Sequence, residues 1–239
     1  MMSDEKITLK QLIEHCFDTS KTRIKHQIVF GSGKIKNKNF NIVGTIEDTS
    51  FGVDESIEMA RCILDILKNN NKDPIVLLTD VIGQKLSVRD EWLGMYAYFA
   101  HLLKCLHLVR QNGNKIITLI YNQAIGGSFI AFGMMADRIY ALKNAKLAVM
   151  WLEGMSKVTK IDIDVLRKIS ETSPVFAPGV ENFKKLGGLH QVLDLDEVSQ
   201  QLLLTLQETN ISNDNRAELG KQYGGRKEAY DIIKAIENL

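Results

Sequence analysis

The chain has 239 residues, of which 45% are hydrophobic and 25% are charged, as in ordinary soluble globular domains. This length suffices for one large domain, and the formal net charge of +1 gives no electrostatic case for binding nucleic acid or a membrane surface. The sequence has no run of about 18 apolar residues, and its N-terminus lacks the apolar segment of a secretory signal. We therefore expect a cytoplasmic protein that binds neither nucleic acid nor membranes.

The cysteines and histidines do not follow a metal-binding pattern. Cys16, Cys62 and Cys105 are scattered along the chain, without the paired spacing of zinc sites. Cys62 and Cys105 fall within apolar helical patterns, so we interpret them as core thiols. We interpret the histidines as surface or hydrogen-bonded side chains; they are His15, His26, His101, His107 and His190. No metal site is predicted.

The first part of the chain mixes helical and strand patterns. Thr8–Phe17 has the spacing of an amphipathic helix, and strand-like runs follow at Val29–Lys36 and Phe40–Ile46. Asp54 is a suitable N-cap for the next helix. The apolar face predicted for that helix consists of Ile57, Ala60, Ile63, Leu64 and Leu67.

A buried strand and a long helix follow. Ile75–Thr79 is a continuous apolar run, which is typical of a strand covered on both faces. The segment Asp80–Ser87 is predicted as a loop that leads into a helix over Val88–Gln111. The turn-forming residues Asn112–Asn114 end this helix. The core face predicted on it consists of Trp92, Met95, Phe99, Leu102, Leu106 and Val109.

The segment Lys115–Leu142 carries the strongest functional signal. Its apolar run Ile116–Tyr121 predicts a strand, the glycine pair Gly126-Gly127 follows, and the apolar residues from Phe129 onwards predict a buried helix. A glycine pair at a strand-to-helix turn is often only turn chemistry. It can also expose unpaired N–H groups at a helix start, where an anion or a developing oxyanion can bind.

The remainder of the chain is predicted to be mostly helical. Lys146–Trp151 is strand-like, and Glu153–Ser156 is predicted as a turn. Helices are expected over Asp162–Glu171, Val180–Leu186, Asp194–Glu208 and Arg226–Glu237. The alternation of strands and helices upstream indicates parallel crossovers and an α/β layered fold. The simplest organisation is one domain over residues 1–239, in which residues 160–239 form a mainly helical region for packing or oligomerisation.

Two loops are expected to meet at one edge of the sheet. Gly83-Gln84 and Gly126-Gly127 each follow an apolar strand and precede a helix, and such carboxyl-end loops are where open α/β sheets bind ligands. If the loops are neighbours, their backbone N–H groups can converge on a thioester carbonyl and stabilise an enolate. Other chemistry finds little support, because the sequence lacks a Gly-x-Ser-x-Gly elbow, a Walker A motif and a Rossmann fingerprint.

The residues around both loops resemble a known enzyme superfamily. The run Ile-Thr-Leu-Ile-Tyr-Asn-Gln-Ala-Ile-Gly-Gly-Ser-Phe-Ile-Ala-Phe-Gly, followed by Ala-Asp-Arg-Ile-Tyr-Ala-Leu, is similar to the oxyanion-hole segment of the crotonase and carboxyltransferase superfamily. Upstream, Leu-Thr-Asp-Val-Ile-Gly-Gln and Arg-Asp-Glu-Trp-Leu-Gly resemble its carboxyltransferase branch, and within it the γ subunits of biotin-independent malonate decarboxylases. The resemblance runs from about Val43 to Leu193 and is strongest between Asp80 and Leu142.

The resemblance implies a fold, a partner and a reaction. The fold is the crotonase/ClpP-like ββα superhelix with a helical C-terminal region, in a heterodimer with a malonate decarboxylase β subunit whose active site lies between the subunits. The substrate is a malonyl thioester on an acyl carrier subunit that bears a coenzyme-A-derived, phosphopantetheine-type arm. The products are the acetyl thioester and CO₂, and no cofactor is expected on this chain itself.

The resemblance also assigns roles to residues of the two loops. Gly127 matches the superfamily's helix-start oxyanion amide, and Gly83 or Gln84 matches the second amide. The residues expected to bind substrate are Gly126, Ser128, Gln123 and Tyr121. The donor that protonates the carbon after CO₂ leaves stays open among Gln84, Ser128, Tyr121 and a group of the partner subunit.

The chain departs from the superfamily pattern at two places that bear on its reaction. Ile130 stands where hydratases carry a catalytic glutamate, which argues against hydration. Met150–Met155 replaces the family's Val-His-Ala-Met-Gly-Lys, so a histidine and a lysine of that pattern are missing. Two other functions stay open: a biotin-dependent acyl-CoA carboxyltransferase subunit, and a non-catalytic partner that stabilises the catalytic chain.

Overall fold

The structure is a computed structural model that describes residues 6–175, 177–209 and 214–238. These residues form a nine-stranded sheet covered by helices. The strands are β1 (Thr19–Lys25), β2 (Ile28–Ile35), β3 (Lys38–Thr45), β4 (Thr49–Phe51), β5 (Ile75–Gln84), β6 (Ile116–Ile125), β7 (Arg138–Leu142), β8 (Lys146–Ala148) and β9 (Gln191–Leu193).

The helices lie between and after the strands. They are α1 (Leu9–Cys16), α2 (Val53–Lys68), α3 (Val88–Trp92), α4 (Met95–Gln111), α5 (Gly126–Phe132), α6 (Leu152–Thr159), α7 (Ile163–Thr172), α8 (Val180–Lys185), α9 (Val198–Gln207), α10 (Arg216–Gln222) and α11 (Lys227–Glu237). Within the described ranges, no helix combines the length and apolar character needed to cross a membrane.

The sheet joins an antiparallel meander to a parallel half. Strands β1, β2 and β3 pair antiparallel, and the order then continues through β5, β6, β7 and β9 in parallel. The first half of β5 pairs with β3 and its second half with β4, while β6 pairs first with β7 and then with β8. The predicted parallel crossovers are confirmed, and the carboxyl ends of β5 and β6 lie side by side.

Each face of the sheet is closed by its own apolar cluster. On one face, side chains of β5 and β6 such as Leu77 and Ile120 pack with α2, α4 and α5. On the other face, Val76, Leu78 and Leu119 pack with residues of α1 and α9. Because β5 and β6 are covered on both sides, their apolar runs are continuous rather than alternating. Burial of these runs fixes the strands that carry the two glycine loops.

The predicted helix over Val88–Gln111 is wrong in one respect, because it is divided into α3 and α4. Gly94 lies between them with φ = +74°, a left-handed conformation that breaks the helix. The break turns Trp92 away from the core, and its side chain is 87% exposed. The other residues predicted on this face pack inward, with Met95, Leu102, Leu106 and Val109 buried and Phe99 partly buried.

Two predictions for α2 are also corrected. The N-cap is Gly52 rather than Asp54, which lies in the first turn and pairs with Arg89 (2.8 Å). Ile57 and Leu64 are exposed, and the buried face instead includes Met59, Cys62 and Ile66 beside the predicted Ala60 and Ile63. The helix is rotated relative to the predicted stripe because it packs against β3 and α4 with its small and sulfur-containing side chains.

The sequence did not predict several short elements. Every residue of β1 is exposed, so this strand lacks the apolar alternation by which strands are detected. Residues Glu153–Ser156 belong to α6 instead of forming a turn, and β8 ends at Ala148. Within the mainly helical region 160–239, β9 pairs with β7 and α10 was not predicted. That residues 1–239 form one domain stays a prediction.

Candidate functional site

The two segments predicted as loops belong to regular elements, because β5 extends to Gln84 and α5 begins at Gly126. We keep the name glycine loops for Gly83-Gln84 and Gly126-Gly127, which are in direct contact at the carboxyl ends of β5 and β6. A Cβ atom built on Gly126 would lie 3.6 Å from the Cα of Gly83. A Cβ atom on Gly127 would lie 3.3 Å from Oε1 of Gln84. The predicted convergence of Gly83-Gln84 and Gly126-Gly127 is therefore present in the structure. Gly83 and Gly126 are half-buried, whereas Gln84 and Gly127 are exposed, so a ligand can reach this place.

Backbone conformation explains why glycine occupies two of these positions. Gly83 has φ = +130° and Gly126 has φ = +73°, values that residues with a Cβ atom adopt rarely. Gly127 has an ordinary helical backbone, and its lack of a side chain instead leaves the space in front of Gln84 open. The first two glycines shape the loops, and the third keeps them accessible.

The short helix α5 presents its first N–H groups at this edge. Phe129 and Phe132 anchor the helix in the core with exposures of 1% and 0%. The residue before the helix, Ile125, has no polar side chain with which to cap those N–H groups. Amides of the first helical turn have no partner within the helix, so those near Gly127 can donate to an oxygen of a bound molecule.

The other predicted site residues lie beneath the loops rather than at their surface. Tyr121 is 3% exposed, its hydroxyl donates to the carbonyl oxygen of Thr45 (3.1 Å), and burial raises its pKa above the usual range. Ser128 is fully buried, and its hydroxyl faces the carbonyl oxygen of Ile125 at 3.5 Å. Gln123 donates to the carboxylate of Asp48. Substrate binding by these three side chains stays a prediction, and the structure gives each of them a partner within the chain.

A polar cluster below the glycines was not predicted as part of the site. Asp80 is 1% exposed and accepts hydrogen bonds from the Asn122 side chain (3.0 Å) and from the backbone N–H of Asp48 (3.2 Å). Burial raises the pKa of Asp80, whereas hydrogen bonds from Lys6 and Gln123 outweigh burial at Asp48 and lower the pKa of that carboxyl. The signal available in the sequence was an acidic residue, Asp80, directly after the apolar run Ile75–Thr79.

Exposed apolar side chains lie next to the glycine loops and in neighbouring segments of the chain. Val149 is 56% exposed, and its carbonyl oxygen would lie 3.9 Å from a Cβ atom on Gly126. Ile130, at the position where hydratases of the superfamily carry an acid, is also exposed on α5. Further large exposed apolar side chains stand in β5 and in the chain segments that follow β5 and β8, namely Ile82, Leu86, Val88, Trp92, Leu93, Tyr96, Met150 and Trp151, and we call the whole set the apolar rim. Such a concentration of large exposed apolar residues is typical of a surface that binds a partner.

Comparison with known proteins decides the family. The family model for the malonate decarboxylase gamma subunit matches residues 46–239. The chain belongs to this family. It is also 30% identical, over 195 residues, to the malonyl-S-ACP:biotin-protein carboxyltransferase of Malonomonas rubra, a match that covers 73% of this chain and 67% of the relative.

Solved structures agree on the fold of this malonate decarboxylase γ-family chain. A Pseudomonas malonate decarboxylase hetero-tetramer in complex with coenzyme A has a TM-score of 0.76 at 20% identity, and the match covers 89% of this chain and 90% of that chain. The transcarboxylase 12S core has a TM-score of 0.70 at 21% identity, with coverage of 85% and 41%. The expected crotonase-like α/β fold is confirmed, as is the expected family.

Proposed function

We propose that this chain is the γ subunit of a malonate decarboxylase and that its glycine loops bind the carbonyl oxygen of a malonyl thioester. The observation that carries the proposal is the contact of Gly83-Gln84 with Gly126-Gly127 at an accessible edge of the sheet. Family membership supports the decarboxylase and carboxyltransferase class of reaction. The identity of the substrate as a malonyl thioester is a more specific inference, which we draw from the site.

The chemistry that these amides serve is enolate stabilisation. When the bond between the carboxylate carbon and the α-carbon breaks, CO₂ leaves and the electron pair moves into an enolate whose oxygen was the thioester carbonyl. Backbone N–H groups that donate to this oxygen stabilise the developing charge without moving. No strong base is required, because the substrate loses CO₂ instead of a proton. A proton then adds to the α-carbon and gives the acetyl thioester.

The positions of the three candidate side chains restrict which group can protonate the α-carbon. Ser128 and Tyr121 are buried and already face carbonyl oxygens of this chain, whereas Gln84 is exposed beside Gly127. A carboxamide donates hydrogen bonds but is not an acid at neutral pH. We therefore assign Gln84 to holding the thioester or a water molecule, and the proton itself to water or to a group of the partner.

We also propose the partners. The apolar rim supports a β subunit that covers the site, in line with the MdcD–MdcE hetero-dimer of Pseudomonas malonate decarboxylase. The thioester would arrive on an acyl carrier subunit through a coenzyme-A-derived, phosphopantetheine-type arm, so this chain itself would bind no cofactor permanently. The helical region 160–239 offers further contact surface, because Ile232 and Ile236 of α11 are exposed.

The test uses Gly127→Val in the assembled complex. Gly127 has an ordinary helical backbone, so valine adds bulk in front of Gln84 without forcing a left-handed conformation. Loss of one oxyanion donor typically costs about 10²–10³ in rate, and we expect a fall in decarboxylation of a malonyl thioester of that order. The control is Gly113→Ala, at a glycine with open space around it at the other end of β6, and it should keep the rate. Undiminished decarboxylation by Gly127→Val would sink the proposal.

A second candidate function is transfer of the carboxyl group to biotin. It is favoured by the relative from Malonomonas rubra, whose name describes transfer from malonyl-S-ACP to a biotin protein. The same enolate forms in both reactions, so the glycine loops do not separate them. Addition of a biotin-carrying protein distinguishes them: if the complex forms the acetyl thioester together with carboxylated biotin, and neither the acetyl thioester nor CO₂ when the biotin protein is left out, the second candidate is correct.

A further inference from the structure

The pairing of β5 with β6 is irregular just before the two glycine loops. Thr79 lies opposite Ile120, and the next paired residues are Val81 and Ala124. One residue of β5, Asp80, therefore stands opposite three residues of β6, namely Tyr121, Asn122 and Gln123. This is a β-bulge with two extra residues on β6.

The bulge sets which residues of the two strands meet at their carboxyl ends. Past it, Gly83 and Gly126 each lie two residues beyond the pair Val81 and Ala124, so they are neighbours. If the earlier register continued, Gly83 would instead face Ala124, and Gly126 would lie two residues further, roughly 6–7 Å along the strand. The bulge therefore brings the two glycine loops into contact.

The side chains of all three bulge residues on β6 form hydrogen bonds with other parts of the chain. Tyr121 donates to the carbonyl oxygen of Thr45, Asn122 to Asp80, and Gln123 to Asp48. Asn122 also exchanges two hydrogen bonds with the backbone of Ile7, at 2.9 and 3.1 Å. These bonds connect the bulge to the turn after β3 and to the chain segment before α1.

Asp80 is hydrogen-bonded both to the bulge and to the turn after β3. One of its oxygens, Oδ2, accepts from Asn122 and from the backbone N–H of Asp48, and its own N–H donates to Oγ1 of Thr45 (2.9 Å). Among the described residues, its other oxygen, Oδ1, has no hydrogen-bond partner. Asp48 has φ = +55°, so the turn that Asp80 holds is in a left-handed conformation that needs support from its surroundings.

We propose that Asp80 is a positioning residue for the reaction: through Asn122 and the Asp48 turn it holds the bulge that places Gly83 beside Gly126. The inference rests on the proposed function only for its kinetic consequence. Because a displacement of about 1 Å at a reacting centre can cost on the order of 100-fold in rate, loss of this support should lower kcat more than it changes KM.

The experiment compares three variants in the assembled complex with a malonyl thioester as substrate. Asp80→Ala removes the acceptor oxygen, and Asp80→Asn keeps one acceptor in the same place. Asn114→Ala is the matched control, because Asn114 is 2% exposed and donates to two carbonyl oxygens at the opposite end of the same strands. We expect kcat to fall about 10-fold to 100-fold for Asp80→Ala, to stay within about threefold for Asp80→Asn, and to be unchanged for Asn114→Ala.

Hydrogen exchange provides a readout that does not depend on activity. Peptides covering residues 79–87 and 121–130 should exchange at least about tenfold faster in Asp80→Ala, while the control should change exchange near Asn71 and Asp73 instead. If Asp80→Ala does not assemble, Asn122→Ala breaks the same hydrogen bond and is judged by the same two readouts.

The outcomes separate this inference from the proposed function. Unchanged kcat and unchanged exchange in Asp80→Ala overturn the positioning role, and so do equal losses of kcat in Asp80→Ala and Asn114→Ala. If the unmodified complex does not decarboxylate the malonyl thioester, the proposed function fails, and the exchange measurement still decides whether Asp80 holds the bulge.

Discussion

The two ends of the central strands β5 and β6 are built differently. At the amino end the strands pair in regular register from Ile75 and Ile116, and polar side chains there are paired. Asn114, for example, donates to the carbonyl oxygens of Asn71 (2.9 Å) and Asp73 (2.8 Å). At the carboxyl end the register breaks, the two glycine loops are in contact, and apolar side chains such as Ile82 and Ile130 are exposed.

The two ends of these strands serve different purposes: the amino end stabilises the fold, and the carboxyl end carries the proposed site. Satisfied polar groups in regular pairing stabilise a fold, whereas a bulge and an exposed apolar rim each cost free energy in the isolated chain. Such exceptions persist where a site or a partner requires them. We therefore expect substitutions at the amino end to change stability and substitutions at the carboxyl end to change binding and rate.

The largest effect on assembly is expected at the apolar rim. Trp92→Ala should weaken association with the β subunit at least about 30-fold, or about 2 kcal/mol, because exposed tryptophans that become buried at an interface dominate binding. The unfolding free energy of the chain alone should hardly change, since the side chain is 87% exposed. Titration of the labelled chain with its partner measures the Kd.

Leu108 provides the matched comparison for Trp92. It is 47% exposed near the end of α4, at the amino end of β6, and Leu108→Ala should leave the Kd of the complex unaltered. If both variants weaken association equally, the apolar rim is not a special surface and the distinction between the two ends is lost.

A smaller effect is expected at the amino end, from His190. Its Nδ1 accepts from the backbone N–H of Ile139 (3.1 Å), its Nε2 lies 3.0 Å from Oδ1 of Asn215, and burial lowers its pKa from 6.5 to about 4. The folded state therefore favours the neutral ring. The resulting stability is complete above pH 6.5 and is lost as the pH falls towards 4, with a loss of about 2 kcal/mol at pH 5.

Urea unfolding at pH 7 and pH 5 measures this dependence. His190→Asn keeps an acceptor for the N–H of Ile139 and does not titrate, so it should remove most of the difference between the two pH values. If the native chain and the variant lose the same stability between pH 7 and pH 5, protonation of His190 is not the cause.

The sequence predicted the features that depend on local pattern. The apolar runs of β5 and β6, the glycines at their ends and the α/β class follow from residue type and spacing, and the structure has them. The glycine loops were also expected to meet, because the carboxyl ends of adjacent parallel strands share one edge of a sheet. Family resemblance added the substrate class, which spacing alone does not give.

The remaining features depend on contacts between distant parts of the chain. The bulge opposite Asp80 is a property of how two strands pair, and no single strand's sequence contains it. An isolated glycine such as Gly94 is tolerated within helices, so the break after α3 was not evident. Trp92 was placed in the core because its spacing fits the stripe, and spacing does not distinguish burial in this chain from burial against another.

The most direct test of the difference between the two ends compares Gly126→Ala with Gly113→Ala. Both glycines have positive φ, +73° and +95°, and they lie at opposite ends of β6, so alanine should cost each variant about 1–2 kcal/mol of stability. The quantity to measure is kcat for malonyl thioester decarboxylation by the assembled complexes, after equal melting temperatures have been verified. We predict at least a tenfold lower kcat for Gly126→Ala than for Gly113→Ala, because Gly126 lies against Gly83 at the proposed oxyanion site. Equal kcat values in the two variants would contradict the account.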